Sequence, residues 1–209
     1  MKIKLTGAGK RFNREWIFRN ADLSFNSGSA YAITGANGSG KSTLLQCIAG
    51  MYQLSEGSID YDEDINHDSI FKQVSFCAPY LDVIEEMTLH EFLDFHQQFK
   101  PFLKGYDSQN IIETIGLKAT ADKQIRFYSS GMKQRVKLAQ AIFSSSSIIL
   151  LDEPCSNLDQ EGIALYHSLI DKFCSNRLVL VCSNDEVEYS FCKEVISIHN
   201  YKPSFKLNL

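Results

Sequence analysis

Gly35-Ala36-Asn37-Gly38-Ser39-Gly40-Lys41-Ser42-Thr43 is the stretch that decides the fold. It fits the pattern G-x-x-x-x-G-K-S of a phosphate-binding loop. Ala30-Tyr31-Ala32-Ile33-Thr34 before it has the apolar character of a buried strand. Thr43-Leu44-Leu45-Gln46-Cys47-Ile48-Ala49 after it reads as a helix stopped at Gly50. Strand, glycine-rich loop and helix, in that order, are the context the motif requires. The glycines let the backbone curl until its N–H groups converge on phosphate oxygens, and the opening turn of the helix adds its positive dipole end. Gly35, Asn37, Gly38, Ser39, Gly40, Lys41, Ser42 and Thr43 are therefore the candidate phosphate ligands. Lys41, also a catalytic candidate, can reach the β- and γ-phosphates, and the Ser42 hydroxyl can sit on Mg²⁺.

Outward from the loop, the chain reads as a globular α/β protein. Its 209 residues, 44% hydrophobic and 22% charged, suit one chain with a sizeable core. The net charge of −4 is spread without acidic or basic blocks, so bulk charge gives no support for nucleic-acid binding. No apolar run reaches the roughly 20 residues that span a bilayer, and the N-terminus lacks a signal-peptide core. The six cysteines (47, 77, 155, 174, 182 and 192) show no C-x-x-C spacing and read as reduced, buried thiols of the cytosol rather than metal ligands. Residues 1–30 read as short alternating strands and turns, followed by strands near 57–61 and 74–77, the latter ended by Pro79. From Thr88 to about Gly116 the pattern turns helical. The stripe Phe92, Leu93, Phe95, His96 and Phe99 is most simply core packing, with a partner-docking surface as the other reading. A further helix is expected from Lys133 to Ile142. Continuous apolar strands at 148–151, 178–182 and 195–198, with a helical segment over 161–173, argue for a parallel sheet covered on both faces.

Ile148-Ile149-Leu150-Leu151-Asp152-Glu153 is an apolar strand ending in two carboxylates, at the strand end where open α/β sheets present their ligands. Asp152 is placed to hold Mg²⁺ through water, and Glu153 to polarise an attacking water as general base. Upstream, Tyr128-Ser129-Ser130-Gly131-Met132-Lys133-Gln134-Arg135 resembles the signature motif of ATP-binding-cassette (ABC) ATPases, and Ser156-Asn157-Leu158-Asp159 resembles their D-loop. The resemblance covers nearly the whole chain. It implies a P-loop NTPase core, a mostly parallel sheet flanked by helices, with an N-terminal antiparallel β subdomain. Within one ABC ATPase domain over 1–209, it also implies an inserted α-helical signature subdomain at about 80–143. By the same resemblance Ser129, Ser130, Gly131 and Asp159 face the γ-phosphate held by a second subunit, ATP and Mg are the ligands, and ATP joins two head-to-tail cassettes as a homo- or heterodimer. Phe12 is the first candidate to stack on adenine and Trp16 the second, with an ordinary place in the N-terminal sheet core as the alternative for Phe12.

Two positions depart from that family's pattern. Tyr80 stands where a glutamine that senses Mg²⁺ and the attacking water is usual. Asn184 stands where a histidine is usual, and none of the five histidines (67, 90, 96, 167 and 199) matches the slot. Asn184 can donate an amide hydrogen bond to the γ-phosphate but carries no charge. Glu85 and Glu86 just downstream of Tyr80 are read as a solvated face or as contributors to the site. Ser130 replaces a usual glycine. The expectation is slow but real ATP hydrolysis. The chain would be the cytoplasmic ATPase subunit of a transporter, peripheral on the inner face of the membrane, with a separate integral-membrane permease and no nucleic-acid partner. A non-transport ABC ATPase and a catalytically degenerate nucleotide-binding module are the alternatives.

Overall fold

Two long antiparallel strands open the chain, β1 (Lys2–Phe12) and β2 (Glu15–Asn26), and β4 (Glu56–Tyr61) pairs with β1 on its other side. The computed structural model describes residues 1–62 and 69–202, so His67 lies outside the described residues. The short strands expected over residues 1–30 are these two continuous strands. Their alternation is broken by register shifts between Leu5 and Arg11, where Gly7 adopts φ +54° and its N–H binds Asp22 Oδ1 at 2.7 Å. Gly57 on β4 comes so close to β1 that an added Cβ would lie 2.4 Å from the Gly7 carbonyl oxygen.

The second sheet is wholly parallel, in the order β5-β6-β7-β3-β8, from β3 (Ala30–Thr34), β5 (Val74–Cys77), β6 (Ile148–Asp152), β7 (Leu178–Cys182) and β8 (Glu194–Ser197). β6 and β7 are buried along their whole length, and successive residues enter opposite cores. Ile148, Leu150, Leu178 and Leu180 join Phe18, Phe25, Leu44 and Ile48 on the side of the antiparallel sheet. Ile149, Leu151, Val179 and Val181 join Leu93, Ile112, Val136 and Ile142 on the other side. A strand that serves two cores has no polar face, which is why these segments read as unbroken apolar runs. The fold is thus the expected α/β P-loop NTPase architecture with an N-terminal antiparallel sheet.

α1 (Lys41–Ile48) follows the glycine-rich loop, and α2 (Leu89–Gln97), α3 (Ser108–Thr114) and α4 (Ser130–Phe143) all lie between β5 and β6. α5 (Gln160–Phe173) joins β6 to β7, and the short α6 (Glu186–Tyr189) follows β7. Side-chain caps set the starts. Thr88 and Glu91 form a reciprocal capping box on α2, and Asp107, Ser129, Asp159 and Asp185 cap the helices that follow them. Ser129 is why α4 begins earlier than its apolar periodicity suggests. The aromatic stripe divides: Phe92 and Leu93 are buried, whereas Phe95 and Phe99 are exposed and meet edge to face with centroids 5.0 Å apart.

The end of α4 is fastened to the sheet by buried Arg177, which donates to Ser146 O, Ile142 O and Ser144 O and to Ser146 Oγ over 2.6–2.7 Å. Arg177→Met would strand these acceptors in a dry environment. It is expected to lower unfolding stability by about 1–3 kcal/mol, measured as a reduced urea midpoint with an unchanged slope.

Candidate functional site

Gly35, Gly38 and Gly40 hold φ of +149°, +75° and +102°, turning the chain sharply from β3 into α1. A Cβ on Gly40 would stand 2.4 Å from Ile17 Cγ2, and one on Gly35 2.8 Å from Ser39 Oγ, so the cradle has room only for glycine there. Lys41 is buried, and its Nζ donates to the carbonyl oxygens of Gly35 at 2.6 Å and Ala36 at 3.3 Å. The ammonium is held by neutral acceptors alone, and an arriving phosphate offers it charged ones at the same place. The Ser39 hydroxyl is buried with no hydrogen-bond partner among the described residues. An orphaned donor in a glycine-rich turn at a helix start is the chemistry a phosphate oxygen satisfies.

Around this loop runs a groove of about 340 Å³ lined by Ile17, Asn37, Gly38, Ser39, Gly40, Lys41, Ser42, Thr43 and Glu153. Glu153 arrives from the end of β6, two strands away from β3, and adopts φ +45° while its N–H donates to Cys182 O at 2.9 Å. Asp152, beside it, is buried, with the Ser42 hydroxyl near enough to favour its charged form. Burial pushes its carboxyl pKa up and the neighbouring Glu153 adds to this, while Ser42 and Lys41 oppose. A hydroxyl and a carboxylate are hard oxygen donors that suit Mg²⁺. Among the described residues no group of three or more His, Cys, Asp or Glu side chains can hold a metal alone. A cation here would take its remaining ligands from water and phosphate.

The two unusual positions are both close by. Asn184 Oδ1 accepts from the Gly35 N–H at 3.1 Å and its Nδ2 donates to Asn37 Oδ1 at 3.1 Å, so the side chain braces the loop. The Tyr80 hydroxyl accepts from Gln46 Nε2 at 3.1 Å, one turn along α1 from Ser42. Burial, and then nearby Asp152, push the Tyr80 phenol well above its usual range, so it stays a neutral oxygen. Glu85 is occupied elsewhere, paired with Lys133 of α4 at 2.5 Å. Neither Phe12 nor Trp16 lines the groove. The Phe12 ring is exposed and meets Tyr52 edge-on at 5.5 Å, while Trp16 lies between Arg19 and Arg11. From the same hairpin Ile17, which the sequence assigns only to the apolar face of the N-terminal strands, is the residue that touches the loop. His199 was also passed over: its Nε2 accepts weakly from the Ala36 N–H at 3.4 Å, and no spacing in the chain announces that meeting.

Ser129, Ser130, Gly131 and Asp159 gather in a separate cavity of about 460 Å³, with Asn157 and Leu158 in its wall. Ser129 Oγ accepts from the Met132 N–H at 3.2 Å, and Asp159 pairs with Arg135 at 3.6 Å. Gly131 passes so close to the D-loop that a Cβ would lie 2.9 Å from Asn157 O. One chain therefore presents two incomplete surfaces, a phosphate cradle with its carboxylates and a helix N-terminus with a serine and glycine, and no residue is common to both.

A family model described as ABC transporter matches residues 18–156, and the chain belongs to that family as an ATP-binding cassette. It is similar to the uncharacterized ABC transporter ATP-binding protein YybJ of Bacillus subtilis, 29% identical over 206 residues that cover 95% of this chain and 93% of that one. It is also similar to the phosphonates import ATP-binding protein PhnC of Fusobacterium nucleatum, 26% identical over 232 residues, with 99% and 94% of the two chains covered. Among solved structures, MJ0796, described as a bacterial ABC transporter cassette and solved as a dimer, superposes with a TM-score of 0.79 at 23% identity, covering 94% of each chain. The last match carries the fold alone.

Because folding raises the Asp152 pKa, the nucleotide-free chain loses stability as pH rises from the unfolded-state carboxyl pKa through the folded one. Asp152→Asn is therefore expected to raise the urea midpoint of the nucleotide-free protein at about pH 8, with the gain shrinking as pH falls through the carboxylate range.

Proposed function

We propose that this cassette binds and hydrolyses Mg-ATP, in a sandwich of two cassettes, to drive a transporter. The observation that carries the proposal is the meeting of Lys41, the orphaned Ser39 hydroxyl and the Glu153 carboxylate in one glycine-lined groove. In this proposal the glycine-rich loop of residues 35–43, through those of its N–H groups not already bonded within the chain, and Lys41 hold the β- and γ-phosphates. Ser42 and Asp152 hold Mg²⁺, which when bound neutralises phosphate charge, with Tyr80 at the edge of that sphere. Glu153 takes the proton of the attacking water. Asn184, while bracing the loop, offers its second amide N–H towards the γ-phosphate, and Phe12 offers its exposed ring to an adenine lying outside the groove.

The separation of the two cavities supports a head-to-tail pair, with Ser129, Ser130, Gly131 and Asp159 of one cassette closing on nucleotide cradled by the other, as a homo- or heterodimer. The dimeric form of MJ0796 is in line with this. No helix among the described residues is long and apolar enough to cross a membrane. In this reading the permease is a separate chain, with this subunit on its cytoplasmic side. The exposure of Phe95 and Phe99 supports a reading of the region around Phe92–Leu103 as the surface for a permease helix. The import and transport names of the relatives leave cargo and direction open.

Replacing a charged, well-aimed donor by Asn184 favours slow turnover, since loss of one such donor costs about 10²–10³ in rate. Purified wild-type protein is expected to hydrolyse Mg-ATP slowly. Lys41→Ala and Glu153→Gln are each expected to abolish turnover, by at least about 10²-fold. ATP-loaded Glu153→Gln should elute as a dimer and the nucleotide-free protein as a monomer. ATP binding without turnover above the Glu153→Gln control would overturn hydrolysis and favour a nucleotide-gated module.

A further inference from the structure

Two buried side chains that the nucleotide chemistry does not use grip the same peptide bond. Gln134 Nε2, from α4, donates to Pro154 O at 2.7 Å, and Glu188 Oε1, from α6, accepts from the Cys155 N–H at 2.7 Å. Gln134 is 3% and Glu188 5% exposed. The C=O and N–H of a trans peptide point in opposite directions, so the two bonds pull on opposite edges of one rigid plane and set its tilt. Glu188 is itself held. Its carbonyl accepts from the buried Tyr166 hydroxyl at 2.8 Å, and the cap of its helix, Asp185, accepts through its carbonyl from the hydroxyl of Ser183, beside Asn184, at 3.4 Å.

One residue before this plane, across Pro154, stands Glu153, in the left-handed region at φ +45°. A glutamate resists that conformation, and a following proline favours extended backbone instead, so the surroundings must impose it. After the plane, the Ser156 N–H donates to Glu153 O at 3.1 Å and the Leu158 N–H to Cys155 O at 3.0 Å, and the chain then forms a wall of the signature cavity. The gripped peptide thus lies between the carboxylate of one half-site and the surface that forms the other.

We propose that Gln134 and Glu188 are a pair of positioning residues that clamp the Pro154–Cys155 peptide and so couple the aim of Glu153 to the signature helix on one side and to the Asn184 segment on the other. A shift of α4 pulls on the carbonyl edge, and a shift of the Asn184 segment pulls on the amide edge. Either tilts the plane and turns Glu153. The proposal rests on the hydrolytic role of Glu153. Simple satisfaction of buried polar groups would account for the same two bonds, but without any effect specific to turnover.

The test compares the full-length wild type with Glu188→Met, Glu188→Gln, Gln134→Met and the double methionine variant. Methionine keeps the length of the side chain and removes the bond; glutamine keeps an oxygen for the Cys155 N–H. Each methionine variant is expected to lower kcat for Mg-ATP by about 10- to 100-fold, with KM within about twofold. Glu188→Gln should stay within about threefold of wild type, and the double variant should be about as slow as the slower single, because both act on one plane. Equal turnover in Glu188→Gln and Glu188→Met, a rise in KM with kcat unchanged, or multiplicative losses in the double variant would overturn the clamp. Should Glu188→Met fail to fold, Gln134→Met carries the same expectation. Amide exchange over residues 153–159 is followed in the same samples. If the wild type shows no turnover, the hydrolytic reading fails separately. Faster exchange in the methionine variants but not in Glu188→Gln then retains the clamp, and unchanged exchange overturns it.

Discussion

The placement of β7 between β3 and β6 is the constraint on which the rest of the site depends. Neighbouring strands are spaced by about 4.8 Å, so one intervening strand leaves the ends of β3 and β6 about 10 Å apart. That gap is wide enough for a phosphate chain and narrow enough for the Ser42 hydroxyl to reach Asp152. The pairing Asp152–Cys182 on one side of β7 and Cys182–Ile33 on the other sets both ends at one level. A register slip would move Glu153 away from the groove and turn apolar residues away from their cores.

The geometry comes at an electrostatic cost that only a ligand relieves. Asp152 is desolvated beside Glu153, and Lys41 is inserted among carbonyl groups of its own loop. Ser39 is buried with its hydroxyl unpaired among the described residues. Each is poorly solvated in the isolated chain and well matched by phosphate oxygens and a divalent cation. Groups already desolvated and aimed can bind a ligand without the cost of ordering flexible ones. The signature cavity differs: Ser129, Ser130 and Asp159 are exposed at a capped helix terminus, and it shares no lining residue with the groove.

Much of the site was legible as text because it is local. The cradle spans nine consecutive residues, and its glycines, lysine and serine are required at fixed spacing by backbone geometry. The apolar runs of β6 and β7, each ending at a functional position, announced a parallel sheet because a strand buried on both faces cannot alternate. The helix caps Ser129 and Asp159 fell inside motifs already recognised. What was not legible involves pairs distant in sequence. Ile17 over Gly40, Gln46 with Tyr80, and His199 with Ala36 have no spacing rule. Phe95 and Phe99 share the helical period of Phe92 yet face outward, since periodicity identifies a stripe but not its width.

The sequence by itself determined the fold family, the phosphate cradle, the two carboxylates and the signature segment, because each is encoded in a short run whose chemistry depends on local backbone. Only the tertiary structure decided how those runs meet. It brings Ser42 to Asp152, spends Asn184 on the loop rather than leaving it free, turns Phe12 towards Tyr52, and grips the peptide after Glu153 between Gln134 and Glu188. The physical reason is that hydrogen-bond partners are selected by distance and direction in space, and in a parallel α/β fold the groups that meet at the strand ends are separated along the chain by whole helices.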